Sequence, residues 1–265
     1  MGVEVKDLLD AGVHFGHQTK RWNPKMKKFI FDKRNGIYLI DVAKTKEQID
    51  TACEFLRKVT MEGGATLLVG TKKQAQEAVK ASAAKCNMPC VTERWLGGTL
   101  TNMTTVRRSV KRLQYIDQLE KSGKFETMHK KEVAHLRREQ LRLHKNLDGI
   151  VHMEKLPAAL FIIDVKREEN AVREANRLKI PIVAVVDTNC DPDPIDYPIA
   201  CNDDAIKAIQ LVTAAIADAV GEARSEYERR LPRKTQPAEE KPAEPPEPAI
   251  TPDAGAATAA GAATA

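Results

Sequence analysis

Five cations and an indole fall within nine residues in Lys20-Arg21-Trp22-Asn23-Pro24-Lys25-Met26-Lys27-Lys28. Between Gln18 and Arg34 the chain has seven Lys and Arg against one Asp, a local charge of +6. Each ammonium or guanidinium that meets a phosphate releases condensed counterions, so such a cluster is suited to a polyanion and its grip weakens with salt. An exposed indole among the cations could stack on a base or ribose; the competing reading makes Trp22 a packed anchor of the loop. A second cluster lies between Arg107 and Lys145, with twelve Lys and Arg against five Asp and Glu, net +7. The whole chain carries +5, so the rest is nearly balanced. Charge runs on helices are often just solvated faces of a lid or dimer contact, but two separate basic clusters favour a polyanionic partner.

Other residues invite different chemistry. Val69-Gly70-Thr71-Lys72-Lys73 follows an apolar run and opens a helical pattern, so Gly70 and the helix N-terminus could cradle a phosphate. The chain has no G-x-G-x-x-G and no G-x-x-x-x-G-K-[ST], which weakens a nucleotide-enzyme reading. His14 and His17 straddle Gly16, and Asp187, Asp191, Asp193 and Asp203 follow the last apolar run. Strand ends gather at one edge of an α/β sheet, so these groups could meet around a divalent metal, although Asp in a D-P-D-P loop commonly caps turns. Cys53, Cys86, Cys90, Cys190 and Cys201 form no C-x-x-C pair and read as free thiols of a reducing compartment. No Ser–His–Asp or Cys–His arrangement emerges, and no cofactor or metal is assigned.

Alternating strands and helices must position these groups. The pattern predicts a short helix over Val5–Ala11 and a hairpin of Phe29–Phe31 and Ile37–Ile40 about Asn35-Gly36. A helix capped by Asp41 spans Val42–Met61, and strands follow at Ala65–Gly70, Cys90–Thr92, Ala158–Asp164 and Ile182–Val186. Helices fall over Lys73–Lys85, Glu168–Leu178 and from Asp203 onward. Continuous apolar strands separated by helices imply a doubly wound, mostly parallel sheet covered on both faces. Into it are inserted two helices with narrow apolar stripes, Val106, Val110, Leu113, Ile116 and Leu119, then Val133, Leu136, Leu143 and Leu147 with Gln140 intruding. They are expected to form an antiparallel two-helix coiled coil with its tip near 122–129. The expected organisation is an α/β domain over 1–101 and 148–228, the basic hairpin over 102–147, and a disordered Pro/Ala-rich tail over 229–265. Residues 232–265 hold seven Pro, eleven Ala and no aromatic residue, too little apolar surface to offset ordering entropy. No apolar run reaches the roughly 18–20 residues that cross a bilayer, and no secretion signal is visible at the start.

Long stretches of the chain resemble the bacterial small-subunit ribosomal protein two family. They include Leu9 to His17, Arg21 to Met26, Arg94-Trp95-Leu96-Gly97-Gly98-Thr99-Leu100-Thr101-Asn102, Pro157 to Asp164 with Glu168-Glu169, Val186 to Pro192, and Ile195 to Ile199. The resemblance covers about residues 1–228 in family order. It implies a flavodoxin-like domain with an inserted coiled coil, cytoplasmic and ribosome-associated, that binds small-subunit ribosomal RNA beside neighbouring small-subunit proteins. It also implies docking of ribosomal protein one, the large protein that captures messenger RNA. It implies no catalysis and no membrane. Where the family has Ser or Thr three residues before the glutamate opening the second arm helix, this chain has His129 before Glu132, which weakens the expected cap. Charge and placement nominate Lys20, Arg21, Trp22, Lys25, Lys27, Lys28, Arg94, Arg107, Arg108, Lys111 and Arg112 for RNA contact. Two other classes stay open: a nucleotide-binding enzyme of doubly wound fold, and an interaction scaffold whose arm binds another protein's helix.

Overall fold

The computed structural model describes residues 4–230. In chain order the elements are α1 (Val5–Asp10), β1 (Phe15–Gln18), β2 (Ile30–Arg34), β3 (Ile37–Ile40) and α2 (Val42–Met61). Then follow β4 (Thr66–Val69), α3 (Lys73–Cys86), β5 (Cys90–Val91), α4 (Met103–Lys121) and α5 (Lys130–Leu147). The chain resumes with β6 (Ala159–Ile163), α6 (Glu169–Leu178), β7 (Ile182–Val186), β8 (Tyr197–Ala200) and α7 (Ile206–Arg230). The five strands β5-β4-β6-β7-β8 form one parallel sheet in that order. Renumbered, this is 2-1-3-4-5, a doubly wound order that reverses between β4 and β6.

Alternate residues of each central strand feed two cores. Leu67, Val69, Leu160, Ile162, Ile182 and Ala184 pack with Ala171, Val172 and Ala175 of α6 and with Val110 and Leu147 at the base of the arm. Leu68, Phe161, Ile163, Val183 and Val185 face the other way, onto α2, α3 and α7. Burial on both faces explains why these strands read as unbroken apolar runs.

A small antiparallel sheet, β1-β3-β2, stands apart from the main one. Its β2–β3 turn carries positive φ at Asn35 and Gly36, as a two-residue hairpin requires. Asp41 caps α2 by accepting from the Ala43 amide at 3.1 Å.

Several expectations are corrected. Strands β1 and β8 escape sequence reading because each has only four residues, one with an internal Gly16 and the other with Pro198. Proline is tolerated in β8 because that strand is a sheet edge. The last helix starts at Ile206 rather than Asp203; Asn202 caps the turn before it, accepting from Asp204 and Ala205 amides at 2.8 and 3.2 Å. That helix also runs through Arg230, so residues 229 and 230 are helical, and the rest of the expected tail lies outside the described residues.

Candidate nucleic-acid interface

The early basic loop is a pair of short 3-10 turns, Thr19–Arg21 and Pro24–Phe29. Asn23 starts the second by accepting from the Lys25 amide at 3.0 Å, and Met26 and Phe29 plug into the core. Two bonds to one residue at the carboxyl end of β7 hold the loop to the body. His17 N donates to Thr188 Oγ1 at 2.8 Å, and Asn23 N donates to the Thr188 carbonyl at 2.8 Å. Gly16 permits this approach, since a Cβ there would lie 2.5 Å from Thr188 Cγ2 and 3.1 Å from the Tyr38 carbonyl oxygen. Lys20, Arg21, Lys27 and Lys28 then project outward without an ion pair among the described residues. Lys25 is different: its ammonium lies 2.7 Å from Asp191 and 2.5 Å from Asp193, and these contacts raise its pKa. Trp22 is half-buried with its ring centroid 5.0 Å from that of Tyr38, which is the packed-anchor arrangement.

Arg94 is exposed, while the motif following it is internal scaffolding. Glu174 of α6 receives Trp95 Nε1 at 3.0 Å and the Gly98, Leu100 and Thr101 amides at 2.8, 3.0 and 3.1 Å, with the Thr101 hydroxyl at 3.2 Å. Burial opposes its charge, but these donors hold its pKa below the usual carboxylate value. Gly98, at φ +88, allows the turn that aims the amides inward. One carboxylate thus fixes the segment through which the chain leaves β5 for the arm. Sequence reading missed Glu174; its only signal is a charged residue bordering the apolar stripe of Ala171 and Ala175.

In the arm, α4 and α5 run back along each other. Ile116, Phe125 and Leu136 are buried between them, and Leu119, Met128 and Val133 pack alongside. The intruding Gln140 is satisfied from α4, donating to Asp117 and Glu120 at 2.8 Å each. His129 does serve as a cap: its Nδ1 accepts from the Lys131 amide at 3.3 Å, and α5 begins at Lys130. Arg107, Arg108 and Lys111 are exposed and free of ion pairs among the described residues. Arg112 instead holds Glu139 of α5 with Nε at 3.2 Å and Nη2 at 3.0 Å, so it is committed to joining the helices. Arg137, Arg138 and Arg142, not nominated above, are exposed on α5 and equally unpaired among the described residues. Their share of the +7 was the available signal.

At the carboxyl edge of the sheet the histidines and aspartates divide into two sets. Asp191 and Asp193 go to Lys25. His17 meets Asp187 at 3.0 Å and Asp204 at 3.5 Å, and the Asp187 hydrogen bond raises its pKa. His14 lies against Phe15, ring centroids 4.0 Å apart. His17, Asp187 and Asp203 bring donor atoms within 4.8 Å of one another, as do Asp164, Cys190 and Asp203, so either set could hold a cation. Lys72 already supplies one: its ammonium lies 2.8 Å from Asp203, 2.6 Å from Asp204 and 3.6 Å from Asp164. Burial, then Asp187 and Asp164, push the Asp203 carboxyl up to about 7.

The proposed phosphate cradle is occupied by the chain itself. Buried Glu168 takes the Thr71 amide at 3.3 Å and also the Thr71 hydroxyl. Gly70 is small for packing, because a Cβ there would come 2.8 Å from Val79 Cγ2. The crevice where this sheet order ordinarily receives a ligand therefore holds a lysine and its own carboxylates.

A family model described as Ribosomal protein S2 matches residues 8–223. The chain belongs to the ribosomal protein S2 family. The match takes in the basic loop, the Glu174-pinned segment, the whole arm and most of α7. A ribosomal protein S2 is a structural protein of the small ribosomal subunit, from a family that is non-enzymatic. Among the described residues no helix is long and apolar enough to cross a membrane.

Proposed function

We propose that the protein binds small-subunit ribosomal RNA through two cationic surfaces, the loop over residues 18–29 and the helical arm, both joined to the carboxyl edge of the parallel sheet. The observation that carries this reading is the fate of the charges. The nominated cations Lys20, Arg21, Lys27, Lys28, Arg94, Arg107, Arg108 and Lys111 are exposed and have no internal ion pair among the described residues. Unpaired, solvated cations retain their full attraction for phosphate, whereas Lys25 and Arg112 are partly neutralised by Asp191, Asp193 and Glu139. These two and Trp22 complete the set by shaping the surface. Phosphate contacts of this type position a protein without reading sequence.

In this reading residues 102–147 act as one basic projection, a two-helix coiled coil, on an α/β body over 1–101 and 148–228. The protein works in the cytoplasm on the small subunit, beside neighbouring small-subunit proteins, and helps dock ribosomal protein one as the family resemblance implies. The test is sedimentation. Replacing Lys20, Arg21, Lys27, Lys28, Arg107, Arg108 and Lys111 by Glu is expected to remove the protein from the small-subunit peak of a sucrose gradient while its circular dichroism stays native. Normal co-sedimentation of that variant would refute the proposal.

A further inference from the structure

Charge in the arm is sorted by face. Asp117, Glu120 and Glu139 all bond across to the opposite helix, through His144, Gln140 and Arg112. Arg112 apart, the arginines of the arm turn away from that seam. At 100° per residue, Leu136 points into the seam while Arg138 and Leu141 point out, flanked by Arg137 and Arg142; Lys145 instead pairs with Glu93 of the body at 3.4 Å. The outer face of α4 is built alike: Leu113 and Ile116 point in, while Arg107, Arg108, Lys111 and Tyr115 point out. No Asp or Glu interrupts either outward group.

Each outer face also has one large, exposed apolar residue among its cations: Tyr115, 52% exposed, on α4 and Leu141, 70% exposed, on α5. Leu141 borders a cleft against the body with Lys80 and Glu93, and the Tyr115 ring centroid lies 5.8 Å from the Arg112 guanidinium, yet both keep enough open surface to meet the apolar face of a ribose or an unstacked base.

Two helices that face each other across a seam turn their outer surfaces in opposite directions. With axes 8–10 Å apart and helix radii of 5–6 Å, those surfaces stand roughly 20 Å from one another. That separation exceeds two Debye lengths of about 8 Å at physiological salt, so one phosphate backbone cannot satisfy both. Resting on the RNA-binding reading above, we infer that the arm lies between two separate RNA segments, one gripped by the outer face of α4 and the other by the outer face of α5. The arm then acts as a cationic spacer that lets two polyanionic segments approach without direct repulsion.

The experiment uses the full-length protein rebound to salt-washed small subunits lacking it, with hydroxyl-radical footprinting of the RNA. One variant carries Arg107→Gln, Arg108→Gln and Lys111→Gln; the other carries Arg137→Gln, Arg138→Gln and Arg142→Gln. Glutamine preserves helix propensity, and none of the six side chains bridges to another element, so the fold should persist. Each variant is expected to bind at least tenfold more weakly and to lower the salt slope by about three. Each should lose a different footprint, and the combined variant should lose affinity as the product of the two factors. Leu141→Ser should weaken only the α5 footprint. The inference is overturned if the α5 variant binds and footprints as wild type, or if both variants erase the same footprint. It is likewise overturned if the α5 variant loses contact with a neighbouring protein while RNA protection is unchanged. If neither variant nor their combination weakens binding, the RNA-binding reading fails with it.

Discussion

Lys72 shows how much a single side chain can decide in this fold. Only 13% exposed, it faces Asp164, Asp203 and Asp204 where an enzyme of this sheet order would place its ligand. Burial opposes its charge, but the Asp203 and Asp204 hydrogen bonds prevail and raise its pKa. Removing it by Lys72→Met strands the carboxylates, and a broken buried ion pair typically costs about 3–5 kcal/mol. The loss should depend on pH. Asp203 has a folded-state value of about 7, above its ordinary 3.8, so its contribution is complete below the ordinary value and fades as pH rises through the raised one. Without Lys72 that value climbs further. Urea midpoints of Lys72→Met should therefore fall below wild type by much more at pH 8 than at pH 5.5; an equal deficit at both would contradict this account. The same residue marks the limit of sequence reading here. Val69-Gly70-Thr71-Lys72 looks like a phosphate cradle on the page, and only the fold reveals that Glu168, 97 positions away, has taken the Thr71 donors.

At the scale of elements, what the sequence disclosed and what it concealed divide by the range of the forces involved. Strands β4, β6 and β7, helix α2 with its Asp41 cap, the Asn35-Gly36 turn and both arm helices follow from apolar period and local turn chemistry, and all are present. β1 and β8 are too short to carry a period and exist because partner strands pair with them. The Glu174 latch and the Lys25 ion pairs join residues far apart in sequence, so no local pattern announces them. His144 is another such case. Its Nε2 lies 3.1 Å from Asp117 on α4 and its Nδ1 lies 3.4 Å from Asp148 just beyond α5. Both ring nitrogens face carboxylate oxygens, which only the doubly protonated ring can satisfy. Burial opposes that charge, but Asp117 and Asp148 outweigh it and raise the pKa. The sign follows: the stabilisation is complete below the ordinary value near 6.5 and is lost as pH rises through the raised one. Because the ring is 42% exposed and water screens the pairs, it contributes only about 0.2–1 kcal/mol. By NMR the His144 imidazole should titrate with a midpoint above 6.5, and Asp117→Asn should lower it. A midpoint at or below 6.5 would show that the base of the hairpin has no such clasp.

Across the whole molecule, the α/β body matters for where it sets the two basic clusters relative to one another. The loop is fastened at the carboxyl end of β7 through Thr188, and the arm departs beyond the carboxyl end of β5 through the segment that Glu174 holds. Both clusters are therefore tied to one edge of one sheet, and under the proposed RNA-binding role a rigid sheet between them would make two weak phosphate-binding surfaces into a single spaced one. If that spacing is what counts, affinity should fall when the mounting is disturbed and no charge is removed. Gly16→Ala provides the case. The new methyl would meet Thr188 Cγ2 at 2.5 Å and the Tyr38 carbonyl oxygen at 3.1 Å, so either Thr188 or β1 must shift, and each movement strains the His17–Thr188 bond that fastens the loop. Overpacking of this kind costs about 1–3 kcal/mol, which a protein of this size can survive. The variant keeps every Lys and Arg, so its net charge and the ionic contribution of each cluster alone are unchanged. Its binding to small subunits should nevertheless weaken about tenfold, with a shallower salt dependence as loop contacts are lost and the arm's footprint intact. If Gly16→Ala folds with a measurably lower urea midpoint yet binds with wild-type affinity and salt slope, the clusters work independently and the sheet does not set their spacing.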